Sequence, residues 1–272
     1  MNIEPLLNHL VPFALVAARL GGLFIFTPLL SNKGLPRKFR ALLAVMFAAA
    51  VYPGLPASVQ TNPDISIASL APMVVSELLI GMIMGFIAGL PMIALDMAGT
   101  IMGHQMGMGL GRVYNPDLGG DSDSLGQILM YTGLAGFVAL NGVDAVFLAL
   151  MYTFGKVPIG AFGAGGVPLD AIVGVLTSGT ELGLRVSAPI LCIIFLLIIA
   201  LGLIGKTMPQ INIMSVGFTF KMFFGLAVLA ASMATIQHVT IDEVERVLGM
   251  VVEWGRTMGS ESMSPAVPGV AQ

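Results

Sequence analysis

Between Arg185 and Lys206 the chain runs for 20 residues without a charge, "VSAPILCIIFLLIIALGLIG", Val186 to Gly205. As a helix rising 1.5 Å per residue, this run reaches about 30 Å, the thickness of the hydrocarbon core of a bilayer. It is too long for a strand. Its last residues open "ALGLIGKT", Ala200 to Thr207, which fits the spacing of a phosphate-binding loop. Such a loop needs a short strand before it and a helix after it in a soluble βαβ unit, so that backbone N–H groups converge on the phosphates. Here a membrane-type segment precedes the motif and Pro209 follows closely. No nucleotide is expected there, and Lys206 reads as an interfacial charge that ends an apolar helix.

The rest of the chain has the same character. Hydrophobic residues make up 56% and charged residues 10%, against about 25% charged in soluble domains. The expectation is an all-α, polytopic membrane protein. A net charge of -3 gives no reason to expect nucleic acid or a strongly anionic partner. The lone Cys192 lies inside the apolar run and is expected to be a small buried side chain. The opening "MNIEPLLNHL" lacks a basic region and a small-residue cleavage site, so no removed signal peptide is expected.

Apolar stretches lie at about 11–30, 41–55, 70–102, 125–155, 172–205 and 211–236. Gly and Pro interrupt several of them, as in "AGLPMIAL" and "VSAPILC", and with 34 glycines in the chain, kinked and broken helices are expected. Gly81, Gly85 and Gly89 recur every four residues, which predicts a helix face against which another backbone packs closely. Lys33, Arg37, Lys38 and Arg40 cluster between the first two stretches, so that loop is expected in the cytoplasm and the N-terminus outside.

Arg19, Glu77, Asp96, Asp144 and Lys221 interrupt apolar stretches. A charge facing lipid near mid-bilayer costs at least about 2.5 to 3.5 kcal/mol. They are therefore expected in bundle interiors, water-filled passages or contacts with other subunits, and internal pairing stays open. Asp96 and Asp144 lack the Gly-x-Gly-Asp surround of an intramembrane aspartyl protease, and His9, His104 and His238 have no ligand spacing. No catalytic residue, metal or cofactor is expected.

Residues 103–124, "GHQMGMGLGRVYNPDLGGDSDS", hold six glycines in 22 positions. Two readings stand: an exposed connector, or a re-entrant segment in which adaptable Met106 and Met108 seal an irregular opening. Thr240 and Glu243 form a capping-box pattern ahead of an amphipathic helix at 239–258, with Ile241, Val244, Val247, Leu248, Val251 and Val252 on its apolar face. Residues 259–272 have the composition of a disordered tail, and 1–258 read as one helical domain.

These features resemble one family. "LVAARLGGLFIFTPLLSNKGLPRKFRALLAVMFAAAVYP", with Arg19, Pro28, Pro36 and Pro53, resembles the amino-terminal pattern of the FliR/SctT proteins, the R-type subunit of the bacterial type III export gate. "NGVDAVFLALMYTFGKVPIG" resembles its middle motif through Asn141, Gly142 and Pro158 to Gly160, with Val143 where many relatives carry His. "GKTMPQINIMSVGF" resembles its Pro-Gln-x-Asn signature through Pro209, Gln210, Asn212 and Gly217. The resemblance implies kinked and broken helical hairpins packed into a hetero-oligomeric gate with P-type and Q-type subunits and the B-type switch subunit. Unfolded flagellar or effector proteins would pass through it without catalysis. The assembly would sit in the inner membrane at the flagellar basal body, partly on the periplasmic side. The 103–124 loop would be its plug, through Met106, Gly107, Met108, Gly109, Gly111, Arg112, Pro116 and Asp117, and the five charges would be candidates for inter-subunit contacts. A second class of function, an autonomous secondary transporter with ion-coupling carboxylates, is weighed beside it.

Overall fold

Each apolar stretch becomes helix. In the computed structural model, α1 spans Glu4–Phe26, α2 Arg37–Val51, α3 Ile67–Met106, α4 Ser124–Ala139, α5 Gly142–Lys156, α6 Leu169–Thr207 and α7 Ile213–Thr257, with a 3-10 turn at Tyr52–Gly54. The structure describes residues 4–29, 36–56, 67–108, 124–157, 159, 169–208, 210 and 212–257. No strand occurs among them, and α1, α3, α6 and α7 are each long and apolar enough to cross a membrane; α4 and α5 together make a fifth, broken candidate. The chain is an all-α membrane protein.

The helices form two compact units, residues 1–89, 141–172 and 246–272 in the first, 90–140 and 173–245 in the second. In the first unit, α1 and the start of α3 approach at backbone distance, and glycine makes that possible. A Cβ at Gly81 would stand 1.9 Å from the Arg19 carbonyl oxygen, one at Gly85 2.7 Å from that of Leu23, and one at Gly22 2.2 Å from that of Leu78. The four-residue glycine repeat thus lines a helix crossing, as its spacing predicts. Around the crossing, Leu15, Leu20, Leu23, Ile80, Met84, Ala149 and Leu150 are fully buried. Phe24, Phe47 and Phe147 tie α1, α2 and α5 together, with ring centroids 5.1 to 5.8 Å apart.

The core of the second unit is built from Leu95, Met102, Met106, Leu129, Leu182, Ile190 and Ile194 and their neighbours. Here α3 meets α4 at Gly99 and Gly126, where an added Cβ at Gly99 would lie 2.5 Å from the Gly126 Cα.

Pro12, Pro91 and Pro189 lie inside helices that continue past them, whereas Leu140 and Asn141 break the helical run between α4 and α5. Two expectations change. Cys192 is exposed on α6, because the apolar run presents much of its circumference outward instead of burying it. Thr240 and Glu243 lie in mid-helix, since α7 runs unbroken through them; their local cap signal is overridden by the helix that precedes it. Around them the amphipathic pattern holds, with Val244, Val247, Leu248 and Val251 buried and Asp242, Glu245 and Arg256 exposed. Ala200 to Thr207 are the last turns of α6, so the phosphate-loop spacing falls on helix.

Gly81→Ala should reduce the yield of folded, detergent-soluble chain, with a stability loss of about 1 to 3 kcal/mol or more because backbone must move. Gly174→Ala, whose new Cβ meets nothing within 4 Å, should be neutral or stabilising in the same thermal-melting assay. Equal behaviour of the two variants would contradict the glycine-lined crossing.

Candidate functional site

The five intramembrane charges have different fates. Arg19 and Glu77, both fully buried, meet each other: Arg19 Nε donates to Glu77 Oε2 at 2.5 Å. Arg19 Nη1 donates to Thr153 Oγ1 at 3.0 Å, and the guanidinium carbon lies 4.5 Å from the centre of the Phe154 ring. Thr153 in turn donates to the Leu150 carbonyl at 2.6 Å. This network joins α1, α3 and α5, and the α1–α3 crossing described above makes it reachable. Arg suits the position because its planar fork serves a carboxylate, a hydroxyl and a ring face at once. Thr153 and Phe154 were not visible as its partners in sequence; an i, i+1 pair on another helix carries no spacing signal.

Asp96 is half-buried where α3 meets α4, so close that an added Cβ at Gly126 would stand 2.7 Å from its Oδ1. Asp144 is exposed in the first turn of α5, where its charge suits the helix N-terminus. Lys221 is half-exposed on α7.

The middle motif has a backbone role. Asn141 adopts φ 53°, ψ 38°, the left-handed conformation, and α4 ends and α5 begins around it. Asn tolerates that geometry better than other residues bearing a Cβ, and Gly142 behind it is buried. The signature near the end of α6 marks a helix corner. Asn212 accepts a hydrogen bond from the Ser215 N–H at 3.3 Å through its side chain, capping α7. Gly217 is buried beside Leu201 of α6, to which an added Cβ would come within 3.2 Å, and Gln210 is exposed. Pro209 lies outside the described residues.

Of the loop residues, Gly109, Gly111, Arg112, Pro116 and Asp117 lie outside the described residues. Met106 ends α3 and is fully buried in the core of the chain itself. Its side chain fills the notch left by Gly225 of α7, where a Cβ would meet Met106 Cε at 2.6 Å. Gly107 turns the chain with φ +89° under the Phe218 ring, whose nearest atom would lie 2.9 Å from a Cβ there. Met108 packs, partly buried, against the same core. Sequence reading missed Gly225 and Phe218, which lie more than 100 residues away in an ordinary apolar helix.

Near the N-terminal end, the Tyr52 hydroxyl stands 3.0 Å from His9 Nδ1, and burial pushes the Tyr52 phenol up from its ordinary value. Among the described residues, no three His, Cys, Asp or Glu side chains converge in a way that could hold a metal ion.

Arg19→Met should lower stability by about 3 to 5 kcal/mol, because the buried Glu77 would lose its cationic partner. The double variant Arg19→Met/Glu77→Met should recover most of that loss. Thermal melting of the detergent-solubilised protein reads the difference, and a double variant as unstable as the single one would contradict the pairing as the source.

The chain matches the family model of the bacterial export proteins, family 1, over residues 10–247. It is 30% identical over 216 residues to the flagellar biosynthetic protein FliR of Escherichia coli strain K12, covering 77% of this chain and 79% of that protein. To FliR of Caulobacter vibrioides it is 26% identical, covering 86% and 93%. To the Yop proteins translocation protein T of Yersinia pestis it is 24% identical, covering 78% and 82%.

Proposed function

The chain belongs to the bacterial export proteins, family 1, and from that premise we propose that it is the R-type, pore-forming structural subunit of a type III export gate. In this reading it performs no catalysis and serves flagellar protein export. It assembles with P-type and Q-type subunits and the B-type switch subunit, in the inner membrane at the flagellar basal body and partly on the periplasmic side.

One observation carries the proposal from family to assembly. The candidate spans of α6 and α7 are 36 and 42 residues long, about 54 and 63 Å as helices, or roughly twice a bilayer's hydrocarbon core. In the most apolar 18-residue window of each, only 11% of the residues are buried. Lipid can cover about 30 Å of such a surface. Outside that length the earlier turns of α6 still expose Val173, Leu176 and Leu184, and in this reading other subunits of the gate cover them.

Within the proposal, residues 103–124 are the plug. Met106 serves as its anchor, being seated in the Gly225 notch, while Met108 and the residues after it supply the seal. Arg19 and Glu77 have met their partner within the chain; Asp144 and Lys221 keep exposed surface for inter-subunit contacts.

Expressed with its P-type and Q-type subunits, the chain should copurify with them and resist protease; expressed alone, it should be degraded or heterogeneous. If it is equally resistant and homogeneous alone, as a transporter would be, the gate-subunit proposal fails. The plug has its own test. Deleting Gly109 to Gly111, which spares Met106 and its notch, should leave assembly intact and make the membrane leak small ions. Unchanged permeability in a correctly assembled deletion complex would remove the plug and leave the subunit assignment standing.

A further inference from the structure

A second polar feature lies outside everything assigned above. One turn before the uncharged run, Arg185 and Glu181 form an exposed pair on α6, Arg185 Nη2 donating to Glu181 Oε1 at 2.5 Å. Beside them is an open cleft of about 240 Å³ between α6 and α7, lined by Arg185, Pro189, Ser232, Thr235, Ile236 and Val239. Its polar equipment is unusual for so apolar a helix pair. Pro189 has no N–H, so the Arg185 carbonyl one turn back lacks its helical donor. Thr177, Thr180 and Ser187 return their hydroxyls to carbonyls of their own helix, whereas Ser232 and Thr235 make no such bond among the described residues. The guanidinium has five N–H donors and spends one on Glu181.

The level of this cleft identifies its ligand class. From Arg185 to Lys206 there are only apolar or neutral residues, about 30 Å of helix. Gly217 packs beside Leu201, and Ser232 shares the cleft with Pro189, so α7 runs antiparallel to α6. One turn past Thr235, His238 and Asp242 form a second exposed polar pair at 2.9 Å. Both helices therefore change from apolar to charged at the same level, which is headgroup depth. Above it, Phe195, Leu196 and Leu203 are 64%, 61% and 66% exposed, offering an apolar track for acyl chains.

We propose that this cleft binds the headgroup of a zwitterionic phospholipid bearing a phosphate and a primary ammonium. The phosphate takes the free guanidinium N–H groups and the two hydroxyls, as charge-assisted hydrogen bonds favour. The ammonium takes the acceptors beside them, the Glu181 carboxylate and the Arg185 carbonyl. The Glu181–Arg185 pair is net neutral, which matches a zwitterion better than an anion.

The test uses the full chain in membranes containing photoreactive phosphatidylethanolamine, phosphatidylglycerol or diacylglycerol with identical acyl chains, with adducts mapped by mass spectrometry. Phosphatidylethanolamine should label the peptides holding Pro189 and Ile236 several-fold more than the other two probes. Arg185→Gln, and separately Ser232→Ala/Thr235→Ala, should cut that labelling about tenfold, with Arg185→Lys restoring part. Diacylglycerol labelling around Phe195 to Leu203 should stay constant in every variant and so report correct folding. Four results would each overturn the proposal: unchanged labelling in Arg185→Gln and the double hydroxyl variant, equal labelling by phosphatidylglycerol or diacylglycerol, loss of the label to millimolar inorganic phosphate, or a photocrosslinker at position 185 capturing another polypeptide in place of lipid.

Discussion

In the first unit the backbones of α1 and α3 approach too closely for a side chain at Gly22 or Gly81, and the buried charge depends on that approach. With Gly81 set against the Arg19 carbonyl and Gly22 against that of Leu78, the two helices come near enough for Arg19 and Glu77 to meet without water. A buried ion pair is tolerated only when its remaining hydrogen-bonding groups are also served. Thr153 and the face of Phe154 provide part of that service from α5, while Arg19 Nη2 is buried without a hydrogen bond among the described residues. Glycine at the crossing and the charges beside it are thus one device. Remove the small residues and the pair loses its geometry; remove one charge and the other loses its counter-ion at a buried crossing.

This dependence also explains what could be read from sequence and what could not. Helix existence was legible because uncharged runs of 20 residues and a four-residue glycine repeat are local signals with one physical interpretation. The crossing face of α3 was legible for the same reason. The partner of Arg19 was not, since Glu77 lies 58 residues away and any of three acidic groups in apolar stretches was eligible. The capping pattern at Thr240 misled because a cap signal is local, while a helix already running from Ile213 has no need to restart. Cys192 misled because apolar neighbours in sequence do not imply burial when the surroundings of the helix are not its own chain.

Several motif residues that read as functional turn out to shape backbone. Asn141 holds a left-handed turn, Asn212 caps α7, and Gly217 allows α7 to lie against α6. None of these roles requires chemistry at a reacting atom, and together they set where helices end and how closely they approach. In a protein of long apolar helices, such corners are where sequence has the most control. The middle of a helix tolerates many apolar side chains, whereas a turn at φ 53° tolerates few residues.

The seating of Met106 bears on how a loop of this kind can move. A methionine whose side chain fills a notch made by a glycine on a facing helix is held on all sides, and Met106 has no exposed surface. Withdrawing it would open a void in the core, at a cost on the order of the 2 to 5 kcal/mol typical of large-to-small core changes. Gly107 follows at φ +89°, a conformation that side-chain-bearing residues rarely adopt, and Phe218 closes over it. Movement that leaves the core intact must therefore begin after Met108, which packs against the same core. Under the plug proposal the seated residues are thus separate in energy from those that follow them in sequence, and the helices need not unpack for the gate to open.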